Sequence, residues 1–512
     1  MDTEEKMKIC VIGGGSSGLA AIKCCLEEDL DVVCYEKSDY FGGLWKYHSD
    51  DADGKPSVMK STVINTSKEM SAFSDFPPPE KFANFMHNSS MMEYFRLYAE
   101  RFDLLKYIRY KHEVVHIEMA EDYERTGRWI VTVKNLNDNI EVSNIFDGVM
   151  VCVGHHVYPY IPKFEGLDVF GGTVTHTHSL KTAEGFEDKT VLVIGIGNSA
   201  VDAAVEISKV SKKLYLSTRR GSWIFPRLGP NGTPYDIILQ KRIFETVRYY
   251  DPIHISETVL QFFLNFKFNH DRFGLRPPHR VLSAHFTIND ALPNHILSGI
   301  VTVKQNVQKF TENGVIFENE DEATEIDAVV LATGYDIKFP FLPDGILQIS
   351  ETNVNLYKLV FPYQLQHPSL AFIGLTQPLG AMFPISEAQS RWFSQLMKRN
   401  VKLPPPADMK KEIQRRMDAK NKQFVPSLRH TVEVIWIPYM DEVCSEFGAK
   451  PNFWKMAFND PRLFISCMFG PCTPYQYRLQ GPHPWEGARN AILSTWERVE
   501  KAFKTFKRGQ AT

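Results

Sequence analysis

The sequence predicts an α/β protein built from two Rossmann-like dinucleotide-binding domains, with the second domain inserted into the first. Two segments support this prediction, because each has an apolar β run, then a glycine-rich turn, then a helix of small residues. The first segment begins at Ile9 and the second at Val191. Each would open its own βαβ unit, so the 512 residues are expected to contain two nucleotide-binding folds.

The first glycine turn follows the apolar residues 9–12. In such a fingerprint Gly13 permits the tight bend, Gly15 lets the backbone approach a pyrophosphate, and Gly18 lets the helix pack closely on the strand. The helix N-terminus then offers amide donors and a positive dipole end to the phosphates. The candidate binding residues of this turn are Gly13, Gly14, Gly15, Ser16, Ser17 and Gly18.

A carboxylate ends the second predicted strand of this unit. The apolar residues 32–35 lead into Glu36, which stands roughly 20 residues beyond the glycines, where an acid accepts hydrogen bonds from ribose hydroxyls. An acid at this place would repel a 2'-phosphate. The first site therefore suits FAD or NAD and disfavours NADP.

The second turn, residues 195–200, ends in alanine where glycine is usual, a change that the fingerprint tolerates. The strand predicted after it runs into Arg219 and Arg220, with no acid at its end. Since guanidinium groups offer paired charged donors to a phosphate, we predict that this second site binds NADPH. Its candidate residues are Gly195, Gly197, Asn198, Ser199, Ala200, Val201, Asp202, Arg219 and Arg220.

Two further apolar runs that end in glycine set the expected order of the domains. Residues 148–154 would mark the crossing out of the first domain, and residues 327–335 the return to it. We therefore expect residues 1–168 to form the first part of the first domain and residues 169–326 to form the inserted domain. Residues 327–512 would complete the first domain and add a C-terminal helical region.

Composition excludes several other classes of protein. Hydrophobic content of 43%, charged content of 23% and a formal net charge of −3 are ordinary for a globular chain. The basic excess of a nucleic-acid binder is absent, so nucleic acid is not an expected partner. The eight cysteines form no C-x-x-C pair, so we expect no disulfide framework, dithiol centre or metal site.

Membrane contact, if present, is expected to be peripheral. The sequence has no apolar run of about 18 residues, the length typical of a transmembrane helix. Its charged first residues run straight into a strand, so no secretory signal is expected. Residues 496–508 place Val499, Phe503 and Phe506 near one helical face among basic residues. This segment is either a helix docked on its own protein or a contact with a membrane.

Several longer motifs carry a resemblance to a known family. They are Gly42-Gly43-Leu44-Trp45, residues 65–70 (NTSKEM), residues 73–77 (FSDFP), residues 332–335 (ATGY) and residues 469–479 (FGPCTPYQYRL). In their order they resemble the flavin-containing monooxygenases of animals. The resemblance extends from about residue 8 to residue 496 of the chain.

The resemblance implies positions for the residues around the flavin. It places Leu44 and Trp45 along the FAD, Asn65 and Thr66 beside the isoalloxazine ring and the nicotinamide, and Gln377 close to the flavin. Asn65 is implied to be the catalytic residue. Ile64 stands where many relatives carry threonine, so a side-chain hydrogen bond from that position is not expected here.

The activity implied by the resemblance is oxygenation that depends on NADPH and O2. Reduced FAD would form a C4a-hydroperoxyflavin, retained NADP+ and Asn65 would stabilise it, and a soft nucleophile such as an amine, a sulfide or a xenobiotic would take up one oxygen atom. Baeyer–Villiger oxygenation of ketones or aldehydes is one alternative. An NADPH oxidase-like or reductase flavoprotein is another.

Location and assembly remain open at this point. Animal relatives usually carry an apolar C-terminal tail for the endoplasmic reticulum, whereas this chain ends in residues 507–512 (KRGQAT). The resemblance implies association with the endoplasmic reticulum membrane, and the absence of a transmembrane segment keeps a cytoplasmic location as the alternative. A homo-oligomer is also possible.

Overall fold

The computed structural model describes residues 6–50, 54–251, 253–427 and 429–503. Its two main sheets each contain five parallel strands. Across the first sheet the strands are Leu370–Phe372, Gly148–Val151, Lys8–Ile12, Asp31–Glu36 and Ile108–Tyr110. Across the second sheet they are Val301–Lys304, Lys213–Ser217, Thr190–Ile194, Ala328–Leu331 and Thr173–His176. The predicted pair of Rossmann-like folds is confirmed.

Each sheet forms because its central strands are apolar on both faces. In Lys8–Ile12 the four residues after the lysine are at most 4% exposed, as expected of a parallel strand covered by helices. The helix Ser16–Glu27 follows this strand and packs against the helix Met382–Met397. In the second sheet the helix Asn198–Ile207 packs on the strand Thr190–Ile194.

Two short strands join the sheets. Tyr158–Pro159 leads out of the first sheet and pairs antiparallel with Tyr335–Asp336, which leads back. The pairing is extended by the amide of Tyr160, which donates to the carbonyl oxygen of Gly334 at 2.9 Å. Since the second sheet lies between these crossings in the chain, the prediction that one domain is inserted into the other is confirmed.

The strand Ala328–Leu331 requires a correction to the predicted return point. Its four residues pair with Thr190–Ile194 on one side and Thr173–His176 on the other, so the strand belongs to the second sheet. The chain returns to the first sheet after Leu331, not at residue 327. An apolar run encodes burial but not the sheet in which the strand is buried, and for this reason the sequence did not reveal the difference.

The remaining elements surround these sheets. Three-stranded antiparallel sheets are formed by His112–Met119, Trp129–Asn135 and Glu141–Phe146, and by Val307–Thr311, Gly314–Phe317 and Thr324–Glu325. Short strand pairs are Ile224–Phe225 with Thr287–Ile288, Leu356–Tyr357 with Phe361–Pro362, and Gln377–Leu379 with Glu433–Ile435. The other α-helices are Asn88–Arg101, Tyr123–Thr126, Tyr235–Leu239, Arg242–Tyr249, Ile255–Lys267, Leu292–Leu297, Pro406–Gln423, Trp436–Ser445, Phe453–Asn459, Pro461–Phe469, Ala488–Leu493 and Thr495–Lys501.

The last described helix, Thr495–Lys501, is docked on the protein itself. Val499 is fully buried, and the Arg498 guanidinium lies 3.0 Å from the carboxylate of Glu69. Of the terminal residues singled out in the sequence, Phe503 is exposed. Phe506 and the basic residues beyond position 503 lie outside the described residues. Across the part of the chain that the structure describes, no helix is long and apolar enough to span a membrane.

A buried ionic cluster ties the C-terminal motif to the first helix. Arg478 is fully buried and lies within about 3 Å of three carboxylates. These carboxylates belong to Glu27, Asp75 and Glu387, and the buried ammonium of Lys23 is their other cationic partner. The network therefore joins four distant parts of the chain.

Replacing Arg478 with alanine is expected to lower the free energy of unfolding by about 3–5 kcal/mol, because it leaves buried carboxylates without their main cation. Thermal and urea unfolding would measure the change. Arg489→Ala is the matched control, since Arg489 pairs with Asp460 at the surface. Equal stability of the two variants would contradict the role given to Arg478.

Candidate active site

The first glycine turn has the backbone geometry that its sequence predicts. Gly13 adopts a φ of +97°, in the left-handed region that favours glycine. A Cβ on Gly18 would lie 1.9 Å from the carbonyl oxygen of Gly13, so a side chain there would collide with the turn. Gly13, Gly15, Ser16 and Ser17 line a large cavity. Gly14 and Gly18 lie behind this wall.

Glu36 is held at the edge of the same cavity by two backbone amides. Its Oε2 accepts from the amide of Gly14 at 2.6 Å, and its Oε1 accepts from the amide of Ser38 at 2.7 Å. A carboxylate oxygen has lone pairs for more than one donor, so both oxygens can also accept from a ligand hydroxyl. Strand, turn and carboxylate thus form one rigid cradle.

The residues implied to surround the flavin all line this cavity. They are Leu44, Trp45, Ile64, Asn65, Thr66 and Gln377. Trp45 lies edge-on to Phe383 with ring centroids 6.3 Å apart, which fixes the indole at the cavity wall. Ile64 presents only aliphatic carbon and is 6% exposed, so its side chain offers no hydrogen bond.

Two side chains that the sequence did not single out hold the loop that carries Asn65. The Arg227 guanidinium donates to Oδ1 of Asn65 at 2.6 Å, and Asp236 accepts from the amide of Ser67 at 2.6 Å. A guanidinium is only a donor, so this contact orients the Asn65 amide and leaves Nδ2 for another partner. Burial raises the pKa of Asp236 to about 6. No short motif marks either residue, and only the tertiary structure brings them to the loop.

The second glycine turn faces the cavity through part of its helix. Asn198, Ser199 and Asp202 line the wall. Burial raises the pKa of the Asp202 carboxyl to about 6, and Asn289 donates to it at 3.2 Å. The other predicted members of this turn, Gly195, Gly197, Ala200 and Val201, are not on the cavity wall. Ala200 and Val201 are fully buried and pack the helix onto its strand.

Arg219 and Arg220 lie apart from this wall. They follow the strand Lys213–Ser217, and both side chains are exposed. Among the described residues neither guanidinium has a carboxylate partner, so both remain available to an anion. The role of both arginines in binding NADPH therefore stays a prediction.

Imidazoles gather near the crossing strands. The rings of His156 and His176 lie 5.4 and 5.5 Å from the ring of Tyr335. Burial lowers the pKa of both His155 and His176 to about 4, so these two side chains are uncharged at neutral pH. Within the described residues no group of three or more His, Cys, Asp or Glu side chains is placed to hold a metal ion.

One cavity of about 980 Å³ thus contacts both glycine turns and the Asn65 loop. Its wall is formed by strand residues of the first sheet and by residues of the helix Asn198–Ile207, which packs on the second sheet. This is the arrangement of an oxidoreductase that brings two nucleotides together. A family model described as FMO-like, flavin-binding monooxygenase-like, matches residues 6–512. The chain belongs to this family, so it is a flavin-dependent monooxygenase with FAD and NADPH as cofactors.

Individual relatives agree with this assignment. The chain is 46% identical to flavin-containing monooxygenase 5 of Homo sapiens, covering 98% of this chain and 94% of that one. It is 43% identical to dimethylaniline monooxygenase [N-oxide-forming] 2 of Oryctolagus cuniculus, covering 97% and 93%.

Solved structures share the fold. The S-allyl-L-cysteine S-oxygenase of Allium sativum has a TM-score of 0.65 at 22% identity, covering 90% of this chain and 95% of that one. A cyclohexanone monooxygenase of Rhodococcus sp. Phi1 bound to NADP+ has a TM-score of 0.62 at 17% identity, covering 86% and 97%.

Proposed function

We propose that the protein oxygenates soft nucleophiles, namely amines and sulfides, at the cavity beside Asn65. The single observation that carries this proposal is the Asn65 amide, which Arg227 orients within a cavity that touches both nucleotide turns. The N-oxide-forming name of one relative supports the same class of reaction. In each cycle NADPH, one proton, O2 and the substrate would give NADP+, water and the oxygenated product.

The cradle of the first turn supports FAD at this place. A Cβ added to Gly43 would lie 3.1 Å from the Cα of Gly15, so the two loops meet closely where a pyrophosphate would pass. Glu36 would accept from ribose hydroxyls, and the N-terminus of Ser16–Glu27 would face the phosphates. When bound, FAD accepts hydride from NADPH and activates O2. The protein's own residues bind, orient and exclude water.

Replacing Asn65 with alanine is expected to lower the yield of oxygenated product per NADPH about 100-fold, since a lost preorganised donor typically costs a factor of 10²–10³. The NADPH consumed would then appear as hydrogen peroxide. Product and peroxide assays on the same reaction would measure this change. Asn313→Ala, on an exposed turn that does not line the cavity, is the control, and unchanged yield in Asn65→Ala would refute the role.

A substrate panel tests the reaction class. With NADPH and O2, we expect a tertiary amine and a sulfide to give the N-oxide and the sulfoxide faster than a ketone gives an ester. Ester formation as the faster reaction would favour the Baeyer–Villiger alternative. Consumption of NADPH with no oxygenated product from any substrate would favour the oxidase alternative.

We also propose that the protein associates peripherally with a membrane, that of the endoplasmic reticulum. Several large apolar side chains are more than 80% exposed, among them Tyr249, Phe266, Trp454 and Phe458. Exposed aromatic side chains of this kind favour the membrane interface. Phe244 and Phe263, from the same helices as Tyr249 and Phe266, also line the cavity. Apolar substrates would thus enter the cavity from the surface that carries these exposed aromatic side chains.

Trp454→Ser with Phe458→Ser is expected to reduce co-flotation with phospholipid vesicles at least about tenfold, because two exposed aromatic side chains are lost from the interface. The matched control is Val142→Ser with Ile145→Ser, which removes exposed apolar side chains from the strand Glu141–Phe146. Flotation unchanged in the first pair, or no flotation of the unmodified protein, would overturn the proposal.

A further inference from the structure

His285 and the buried Glu433 form a pair at the cavity. Neither side chain has a role in the binding and orienting functions described above. Nδ1 of His285 lies 2.8 Å from Oε1 of Glu433, whose side chain is fully buried. The second oxygen, Oε2, is buried and has no hydrogen-bond partner. His285 lines the cavity and its side chain is 12% exposed.

The surroundings place this pair beside the flavin-side wall. Glu433 begins the strand Glu433–Ile435, and its register partner in the neighbouring strand is Gln377. Nε2 of Gln377 lies 3.4 Å from Nε2 of His285. Side chains from three separate parts of the chain are therefore connected by successive contacts, from a buried carboxylate to the cavity.

The hydrogen bonds fix the tautomer of the imidazole. An ionised carboxylate only accepts, so Nδ1 of His285 must carry the hydrogen that points to Glu433. The amide nitrogen of Gln377 only donates, so Nε2 of His285 is the acceptor on the cavity side. The main-chain amide of His285 also donates to Nε2 of His430 at 3.4 Å, which anchors the residue from a second direction.

We propose that His285 is the proton-exchanging residue of this cavity and that Glu433 is its positioning residue. This proposal rests on the oxygenation reaction, which consumes one proton from solvent in each cycle. Nε2 would accept that proton after the Gln377 amide turns so that its oxygen, an acceptor, faces the ring. Release of the proton into the cavity would then return the imidazole to its starting state. His155, also on the cavity wall, cannot take this role at neutral pH, since burial lowers its pKa to about 4.

The tautomer is tested without turnover. In the oxidised holoenzyme labelled with ¹⁵N-histidine, the NMR signals that vanish in His285→Gln identify this imidazole. We expect the unmodified protein to show the form with hydrogen on Nδ1, and Glu433→Gln, whose amide can accept or donate, to show a mixture. An unchanged tautomer in Glu433→Gln would overturn the positioning role.

Kinetics test the proton role. With a sulfide substrate, His285→Gln is expected to lower kcat about 100-fold and Glu433→Gln about tenfold, with KM within about threefold of the original. The double variant should match His285→Gln, because the two residues act as one unit. A double variant whose loss of kcat is the product of the two single losses would overturn the proposal. A change confined to KM would also overturn it.

Controls separate this proposal from others. Glu446→Gln makes the same chemical change at an ion pair with Lys358, away from the cavity wall, and should leave kcat unchanged. FAD content and the unfolding temperature of each variant identify a folding defect, and His285→Asn or Glu433→Met then replaces the variant at the same position that fails to fold. If the unmodified protein oxygenates no sulfide, the proposed function is wrong. The NMR measurement of the His285 tautomer still tests the contact with Glu433 in that case.

Discussion

Gly18→Ala is expected to lower the affinity for FAD about 10- to 100-fold, since overpacking of this kind typically costs about 1–3 kcal/mol. The added Cβ would lie 1.9 Å from the carbonyl oxygen of Gly13, and main-chain atoms cannot rotate aside as a side chain can. The helix that begins at Ser16 would have to move away from the turn. Its first amides would then leave the place where they face the phosphates. Flavin absorbance per polypeptide and titration of the apoprotein with FAD would measure the loss.

The second turn supplies the control for this variant. Ala200 occupies the position there that corresponds to Gly18, and its Cβ is already accommodated in a buried site. Ala200→Gly should leave FAD content as it is. If Gly18→Ala bound FAD as tightly as the unmodified protein, the cradle assigned to the first turn would be wrong.

Removal of Arg219 and Arg220 together is expected to raise KM for NADPH about 100-fold while KM for NADH changes less than about threefold. A hydrogen bond to a charged group contributes about 1.5–3 kcal/mol, and only NADPH carries the 2'-phosphate that these guanidinium groups would bind. Both side chains are exposed at the end of the strand Lys213–Ser217, where an anion can reach them. Steady-state kinetics with both nucleotides would measure the ratio.

Arg415→Ala is the control for general effects of lost positive charge, because Arg415 is an exposed arginine on the helix Pro406–Gln423. It should change neither constant. A double variant in which KM rises equally for NADPH and NADH would show that the arginines do not read the 2'-phosphate. High salt should also weaken the preference of the unmodified protein for NADPH.

The fold was predictable where the signal is local. A glycine fingerprint after an apolar strand specifies strand, turn and helix within about 30 residues, so both Rossmann-like units could be found from sequence. The strand Ala328–Leu331 was different. Its sequence predicts a buried strand but does not indicate which strands lie beside it. Its pairing with Thr190–Ile194 in the structure identifies the sheet to which it belongs.

Only part of the candidate site was predictable, because only some of its residues lie in local motifs. Glu36 and Asn65 lie in motifs, and the structure places both at the cavity. Arg227, which holds Asn65, is 162 positions away in the chain, and Glu433 is 148 positions from His285. Pairings at such separations depend on how the two sheets and the outer helices pack. No local periodicity or spacing encodes them.

We propose that this chain uses NADPH and O2 to place an oxygen atom on a soft nucleophile. The most direct measurement is oxidation of a methyl aryl sulfide under ¹⁸O2, with NADPH consumption recorded alongside. We predict sulfoxide that carries one ¹⁸O atom, in an amount close to the NADPH consumed. NADPH consumption accompanied only by hydrogen peroxide, or sulfoxide whose oxygen comes from water, would contradict the claim.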